Sequence, residues 1–262
     1  MAENTLRIFT WNVNGYRACL KKGFLDWLES AHPDLLCLQE TRVRPEELSE
    51  AERQPAGYAA LWNSGERKGY SGTAVFYKVA PRKSRLGIGV REFDEEGRLI
   101  ELEHAGFTII NAYFPNGGRD LTRVPFKLRF YDRLLKHVQD YHREGRTVIV
   151  TGDWNTCHRP VDIARPKENE KNTGFLPEER AWIDRFIEAG LADTFREQHP
   201  DLANAYTWWS NRAGSRERNV GWRLDYFMAT RRELSRCAEN HIHAAVKGSD
   251  HCPVELVWKQ GS

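Results

Sequence analysis

Residues 147–155 read TVIVTGDWN. Five consecutive β-branched residues, Thr147 to Thr151, spell a strand, and the run stops at a glycine followed by an acid, Asp153, and an amide, Asn155. The same arrangement recurs elsewhere. Leu6 to Asn12 runs into WNVNG, Asp34 to Gln39 runs into Glu40, and Phe107 to Tyr113 ends at Tyr113 with Asn116 close behind. Four apolar strands thus deliver polar side chains at their C-terminal ends, where the loops of a layered α/β fold converge on one crevice. Turn preference explains an Asn, Asp or Gly at any single strand end. It does not explain Glu40, because glutamate is a poor turn former and an acid closing LLCLQ costs burial energy unless it is paired or bound to a cation. Hard oxygen donors of this kind suit Mg²⁺ or Mn²⁺.

Outward from these four, further strands are predicted over Thr73 to Lys78, Leu224 to Thr230 and Pro253 to Trp258, with Leu99 to Glu103 close enough to Phe107 to form a hairpin. Helical periodicity is clearest from Pro125 to Glu144, where Phe130, Leu134, Val138 and Tyr141 share a face and Gly145 supplies a stop. Shorter helices fit Phe24 to Ala31 and Pro177 to Ala189, the second opening on a proline and two glutamates. Strands alternating with helices, plus hairpins, predict an α/β fold with mixed sheets. No repeat or low-complexity tract divides the chain, so residues 1–262 are expected to form one domain.

Composition narrows the functional classes. The 262 residues are 40% hydrophobic and 29% charged, enough for a large core under a polar surface. No apolar run approaches a membrane span, and the N-terminus lacks a basic start followed by an apolar stretch. A cytoplasmic protein of bacterial or archaeal type is expected. Five scattered cysteines without a CxxC pair are expected to be reduced thiols. The net charge is only +2, so an anion-binding surface must come from uneven placement of the 39 Lys and Arg.

Several chemistries fail on spacing. No HExxH or paired Cys/His group favours zinc, and His241 with His243 alternates as on a surface strand. GYSGTA is not GxSxG, which leaves Ser71 in a glycine-bounded turn. Cys157 beside His158, and His251 beside Cys252, are sequence neighbours, and neighbours rarely form a thiol–imidazole dyad in space.

The motifs WNVNGYRA, LQET, GYSGTAVFYK, NAYFPNGGRDL, GDWN, NTGFLPEER, TWWSNR, NVGWRLDYF and GSDHCP follow one another in this order. On them the chain resembles the exonuclease III family of apurinic/apyrimidinic endonucleases, within the endonuclease/exonuclease/phosphatase superfamily, from Arg7 to Trp258. The resemblance implies a four-layered α/β sandwich, two mixed β-sheets packed face to face with helices outside. It implies a Mg²⁺-dependent phosphodiesterase, with Mn²⁺ as an alternative metal, that hydrolyses the DNA backbone 5′ to abasic sites and cleans 3′ ends.

By the same resemblance Glu40 is the principal metal ligand, with Asn12 and Asp250 near the metal. Asp153 is the base or positioner for the attacking water, oriented by Asn155. Tyr113 and Asn116 donate to the scissile phosphate, and Asp225 holds His251. Arg17, Lys22, Tyr70, Arg119, Asn169 and Asn172 are implied DNA contacts, while Trp208 and Trp222 line the pocket for a flipped-out abasic deoxyribose. Trp209, by contrast, reads as core. The expected partner of a monomeric enzyme is double-stranded DNA carrying abasic sites or blocked 3′ ends. Basic residues at Lys21, Arg67, Lys68, Arg212, Arg216 and Arg218 extend the surface offered to its backbone. Two alternatives keep the fold: a phosphohydrolase acting mainly on 3′ ends, and a hydrolase of a non-DNA phosphoester such as a phosphoinositide. NVGWRLDY and the lack of an amphipathic membrane segment speak against the second.

Overall fold

The computed structural model describes residues 5–212 and 214–260. Its strands are β1 (Thr5–Asn12), β2 (Leu35–Gln39), β3 (Ala59–Asn63), β4 (Thr73–Tyr77), β5 (Lys83–Leu86), β6 (Leu99–His104) and β7 (Phe107–Tyr113). They continue with β8 (Val148–Asp153), β9 (Leu191–Asp193), β10 (Trp208–Trp209), β11 (Gly221–Trp222), β12 (Asp225–Thr230), β13 (Cys237–Ile242) and β14 (Val254–Lys259). One six-stranded sheet runs β13-β14-β1-β2-β4-β3 and the other β5-β6-β7-β8-β12-β9; β10 and β11 form a separate two-stranded ribbon. Each large sheet is mixed. Its one parallel pair, β1 with β2 and β7 with β8, lies near the middle of the sheet.

Side-chain alternation on those pairs builds the layers. Ile8, Leu35 and Cys37 of the first sheet meet Ile109, Ile149 and Phe227 of the second in one buried cluster between the sheets. Their neighbours in sequence point the other way: Phe9, Leu36 and Leu38 pack beneath the helix Phe24–Ala31. Ile110, Val148 and Val150 pack beneath the helices Val124–Arg143 and Pro177–Glu188. Strands apolar on both faces are what such a sandwich requires. The expected helix–sheet–sheet–helix architecture is therefore present.

The predicted strands and long helices all form, with ends shifted by a residue or two. The helix expected over Pro125 to Glu144 runs from Val124 to Arg143. Asp34 leads into β2: its amide donates to the Arg7 carbonyl at 2.8 Å, its carbonyl accepts the Lys78 amide at 2.9 Å, and its carboxylate accepts the Arg7 amide at 2.8 Å. Strands β3, β5 and β9 were not anticipated. They are short edge strands, and β5, KSRL, is exposed throughout and carries no alternation to read. Among the described residues no helix is long and apolar enough to cross a membrane. All five cysteines are free thiols, four of them buried.

Candidate active site

Strand register assembles the site. In the second sheet Tyr113 pairs with Asp153 and Asp153 with Asp225, so three polar side chains stand in one row where β7 and β8 end and antiparallel β12 begins. In the first sheet Asn12 pairs with Gln39, which sets Glu40 one residue beyond the edge. The turn before β14 adds Asp250 and His251; the Trp11 indole holds it by donating to the His251 carbonyl at 3.2 Å. Between these groups lies a cleft of about 310 Å³ that also takes in Asn14, Arg42, Asn116, Asn155, Trp208 and Trp222. Gly152 makes the approach of β7 to β8 possible: a Cβ there would lie 2.0 Å from the Ala112 carbonyl oxygen. Glu40 and Asn155 both adopt left-handed backbone, φ 55° and 50°, a conformation non-glycine residues take only where surroundings hold it.

The buried end gathers two carboxylates around an imidazole. His251 Nδ1 lies 2.8 Å from Asp225 Oδ2, and its Nε2 is 3.9 Å from Asp153 Oδ2. Burial opposes charge on the imidazole, but Asp225 and Asp153, with Asp250 beyond, outweigh it and lift the pKa to about 10. His251 is therefore an imidazolium at neutral pH. Asp153 moves up as well, to about 7, because burial disfavours its charge and Asp225 adds to that, while His251 and hydrogen bonds from Asn155 and Asn12 restrain the rise. Asn155 binds it twice, its backbone amide to Oδ1 at 2.7 Å and its side-chain amide to Oδ2 at 3.2 Å. The Asn116 amide in turn donates to Asn155 Oδ1 at 3.0 Å. The Tyr113 phenol is held well above its ordinary pKa by burial and by Glu40, so it remains a donor.

The opposite wall carries hard oxygen donors. Glu40 forms an ion pair with Arg42 through Oε1 and accepts the Asn12 amide on Oε2 at 3.0 Å. Asn12 also donates to Asp153 at 2.8 Å and so ties the two walls together. Asp250 accepts from Asn14 at 2.9 Å and from the Trp208 indole at 3.1 Å. These bonds and the His251 charge keep it ionised despite burial, below its usual pKa. A second group, Asp153, Asp225 and His251, brings three donor atoms within 4.8 Å of one another. There, however, one imidazole nitrogen is already taken by Asp225, and the ring's positive charge repels a cation. The carboxylates of Glu40 and Asp250 line the cleft and are more open, and their partners are side chains: Arg42 and Asn12 on the first, Asn14, Trp208 and Ser249 on the second; as hard oxygen donors they suit a divalent metal.

The residues expected to contact DNA divide into two sets. Arg119, Asn169, Asn172, Trp208 and Trp222 line one groove of about 680 Å³ that shares Trp208, Trp222 and Thr173 with the site cleft. Trp208 pairs with Trp222 across the β10–β11 ribbon, rings edge to face at 5.7 Å. Arg17, Lys22 and Tyr70 lie outside that groove. Arg17 is exposed on the helix Tyr16–Leu20, Lys22 reaches the Gly248 carbonyl at 3.3 Å, and the Tyr70 hydroxyl accepts from Arg98 at 3.1 Å. Trp209 is core, as expected. Arg216 is not a free surface charge: it lies over the Trp209 ring and donates to the carbonyls of Ser249, Ala244 and Val246, bracing the turn that carries Asp250.

Sequence reading passed over Arg42, Lys127 and Glu179. Lys127 lies on the buried stripe with Tyr131, Leu134 and Val138, and Glu179 on that with Ile183 and Phe186. A charge standing in an apolar stripe was the available signal.

A profile of the Endonuclease/Exonuclease/phosphatase family matches residues 9–251. An exodeoxyribonuclease of Bacillus subtilis is 43% identical over 253 residues, which span 96% of this chain and 99% of that protein. A DNA-(apurinic or apyrimidinic site) endonuclease of Dictyostelium discoideum is 38% identical over 97% of this chain and 71% of its own length. The structure of an AP endonuclease from Archaeoglobus fulgidus superposes with a TM-score of 0.87 at 31% identity, covering 97% of this chain and 99% of that one. With the strand-end acids, the His–Asp couple and the two-sheet frame in place, the chain belongs to the endonuclease/exonuclease/phosphatase family, alongside its exodeoxyribonuclease and AP-endonuclease members.

Proposed function

We propose that this protein is a Mg²⁺-dependent DNA-repair nuclease that hydrolyses the backbone 5′ to abasic sites and removes blocking groups from 3′ ends. The observation that carries this is the pairing of a raised-pKa carboxylate, Asp153, with an imidazolium, His251, whose far nitrogen is held by Asp225. Phosphodiester hydrolysis needs a base for water on one side and positive charge where the phosphoryl oxygens gain electrons. Asp153 accepts the water's proton, and the Asn155 amide, bonded to the same carboxylate, fixes the direction of attack. His251, Tyr113 and Asn116 donate hydrogen bonds to the phosphoryl oxygens. His251 stays charged because Asp225 opposes loss of its proton. As water's oxygen bonds to phosphorus, the bond from phosphorus to the 3′ oxygen breaks; Glu40 and Asp250, with Asn12 beside them, would hold Mg²⁺, which would supply Lewis-acid stabilisation of the charge on the phosphoryl and leaving oxygens.

The groove beside the cleft supports DNA as substrate. Arg119 and Arg212 offer charge to the backbone, Asn169 and Asn172 offer amides, and Trp208 with Trp222 offers an apolar slot for a sugar that lacks its base. Buried free thiols suit the reducing cytoplasm that is part of this reading, as is action as a monomer. The test is a duplex with one abasic analogue, incubated with Mg²⁺ and again with EDTA. A single cut 5′ to the lesion, in Mg²⁺ alone, is expected; equal cleavage in both, or none in either, overturns the proposal. One observation favours a second reading. Trp208 and Trp222 meet edge to face at 5.7 Å, and two rings in contact leave less room for a flipped-out sugar, which on this reading favours 3′-end trimming over incision at an internal lesion. A recessed 3′-phosphate substrate run beside the internal lesion ranks the two activities.

A further inference from the structure

We infer that the buried ion pair Lys127–Glu179 is a positioning device, which holds the catalytic loop at Asn155 and the DNA-facing loop at Thr173 as one unit. The inference rests on the role proposed above for Asn155. Both side chains are 0% exposed and their charged atoms lie 2.7 Å apart, yet neither touches the site cleft. Burying such a pair is a weak source of stability, since well-packed apolar residues of the same volume often serve as well. What apolar residues cannot supply is the set of hydrogen bonds that radiates from this pair.

Those bonds close a circuit. Lys127 Nζ donates to the Asn155 carbonyl at 2.7 Å. Glu179 Oε1 accepts the Thr173 hydroxyl at 2.8 Å, and the Thr173 oxygen accepts the Gly117 amide at 3.1 Å. Gly117 follows Asn116, whose side chain returns to Asn155 Oδ1 at 3.0 Å. The second carboxylate oxygen of Glu179 accepts the amides of Gly174 and Leu176, and the Gly174 carbonyl accepts the Cys157 amide at 2.8 Å. Loops after β7 and β8, the loop carrying Asn172, and the starts of two helices all meet at one buried pair. Gly117 fits only as glycine, because a Cβ there would lie 2.2 Å from Thr173 Oγ1.

The beneficiary is a strained residue. Asn155 stands at φ 50°, its amide nitrogen held by Asp153, its side chain by the Phe114 carbonyl at 2.8 Å, and its carbonyl by Lys127. The Tyr131 hydroxyl holds Trp154 and Thr156 on either side, but Lys127 is the side chain that holds the Asn155 carbonyl itself; without it the Asn155 peptide is freer to rotate and the amide that orients water on Asp153 is less well placed. Misplacing a positioned group by about 1 Å costs on the order of 10²-fold in rate. Lys127 and Glu179 are thus positioning residues, and their removal acts chiefly on turnover, with a smaller effect on DNA binding through the loop that carries Asn172 and Thr173.

The test uses the full chain and the abasic-analogue duplex, with kcat, KM and Tm measured for each variant. Lys127→Met alone would strand a buried carboxylate and unfold the protein, so the informative variant is Lys127→Met/Glu179→Gln, which removes both charges. It is expected to melt within about 4 °C of the parent, keep KM within about twofold and lose kcat by about 10²-fold. Thr173→Val leaves the pair intact and opens the circuit at one residue, losing the hydroxyl's bonds to both Glu179 and Gly117; a loss of about tenfold in kcat is expected at nearly unchanged Tm. Parental kcat in the folded double variant overturns the inference, as does a fall in activity that merely tracks the folded fraction. If the double variant does not fold, Thr173→Val decides alone, and parental kcat there overturns the inference equally. Failure of the unmodified protein to cut the lesion duplex in Mg²⁺ counts instead against the proposed function, whatever the variants do.

Discussion

Asp153 and Asp225 are each 1% exposed and stand on paired strands of the second sheet, whereas Glu40 and Asp250 are more open and sit on loops at the edge of the first. The two walls of one cleft are built differently, in keeping with the different work the proposed function gives them. Proton transfer needs low dielectric and fixed neighbours, and register supplies both: Tyr113, Asp153 and Asp225 cannot move apart without breaking the β7–β8–β12 ladder. Holding a metal requires exchangeable partners, and Glu40 and Asp250 meet the loop side chains Arg42 and Asn14 and the ribbon's Trp208, while buried Asn12 stays fixed between the walls. A stiff wall faces an adaptable one.

The sharpest way to break this contrast is Asp153→Asn on the stiff wall. It should lower kcat by about 10³-fold or more while a gel-shift assay finds DNA affinity nearly unchanged; a variant that keeps a tenth of the parental rate would show that another group is the base. Next in size is Glu40→Gln on the adaptable wall. The Mg²⁺ concentration for half-maximal activity should rise at least about tenfold, with much of kcat regained at saturating metal. An unmoved Mg²⁺ titration removes Glu40 from the metal.

Smaller effects sharpen the comparison through pH. Ionised Asp153 is lost as pH falls through about 7, and protonated His251 is lost as pH rises through about 10, so kcat against pH should be bell-shaped. Asp225 is the largest group holding the imidazole's proton, so Asp225→Asn must move the alkaline limb to lower pH and leave the acid limb at or below its original place. An alkaline limb that stays put would deny the His251–Asp225 couple its role. The smallest effect is Arg119→Ala, which should reduce the slope of log affinity against log salt by about 0.9 and leave kcat alone. An unchanged slope takes Arg119 off the DNA backbone.

The adaptable and stiff walls were also unequally legible in sequence. Asn12, Glu40, Tyr113 and Asp153 each end a run of apolar residues, a local pattern, and all four could be picked out along with the crevice they line. Asp225 could not, because it begins an antiparallel strand and meets His251 only through the pairing of β12 with β8. Its role came from family motifs alone. The second sheet was hidden for the same reason, since nothing local says that Ile8 and Ile149 share one interior. Lys127 was lost to a default: a lysine on an amphipathic helix is read as solvated, and only its place among Tyr131, Leu134 and Val138 said otherwise.

The last strand of the sandwich has a consequence for how the protein comes into being. β14 lies between β13 and β1, with Lys259 opposite Thr5, and the turn that launches it carries Asp250 and His251. Completing the first sheet and completing the cleft are therefore one event. A chain that has not reached β14 holds Asn12, Glu40 and Asp153 but lacks Asp250 and His251, and β1 has a partner on one side alone. The cleft becomes whole only when two segments distant in sequence, β1 and β14, have paired.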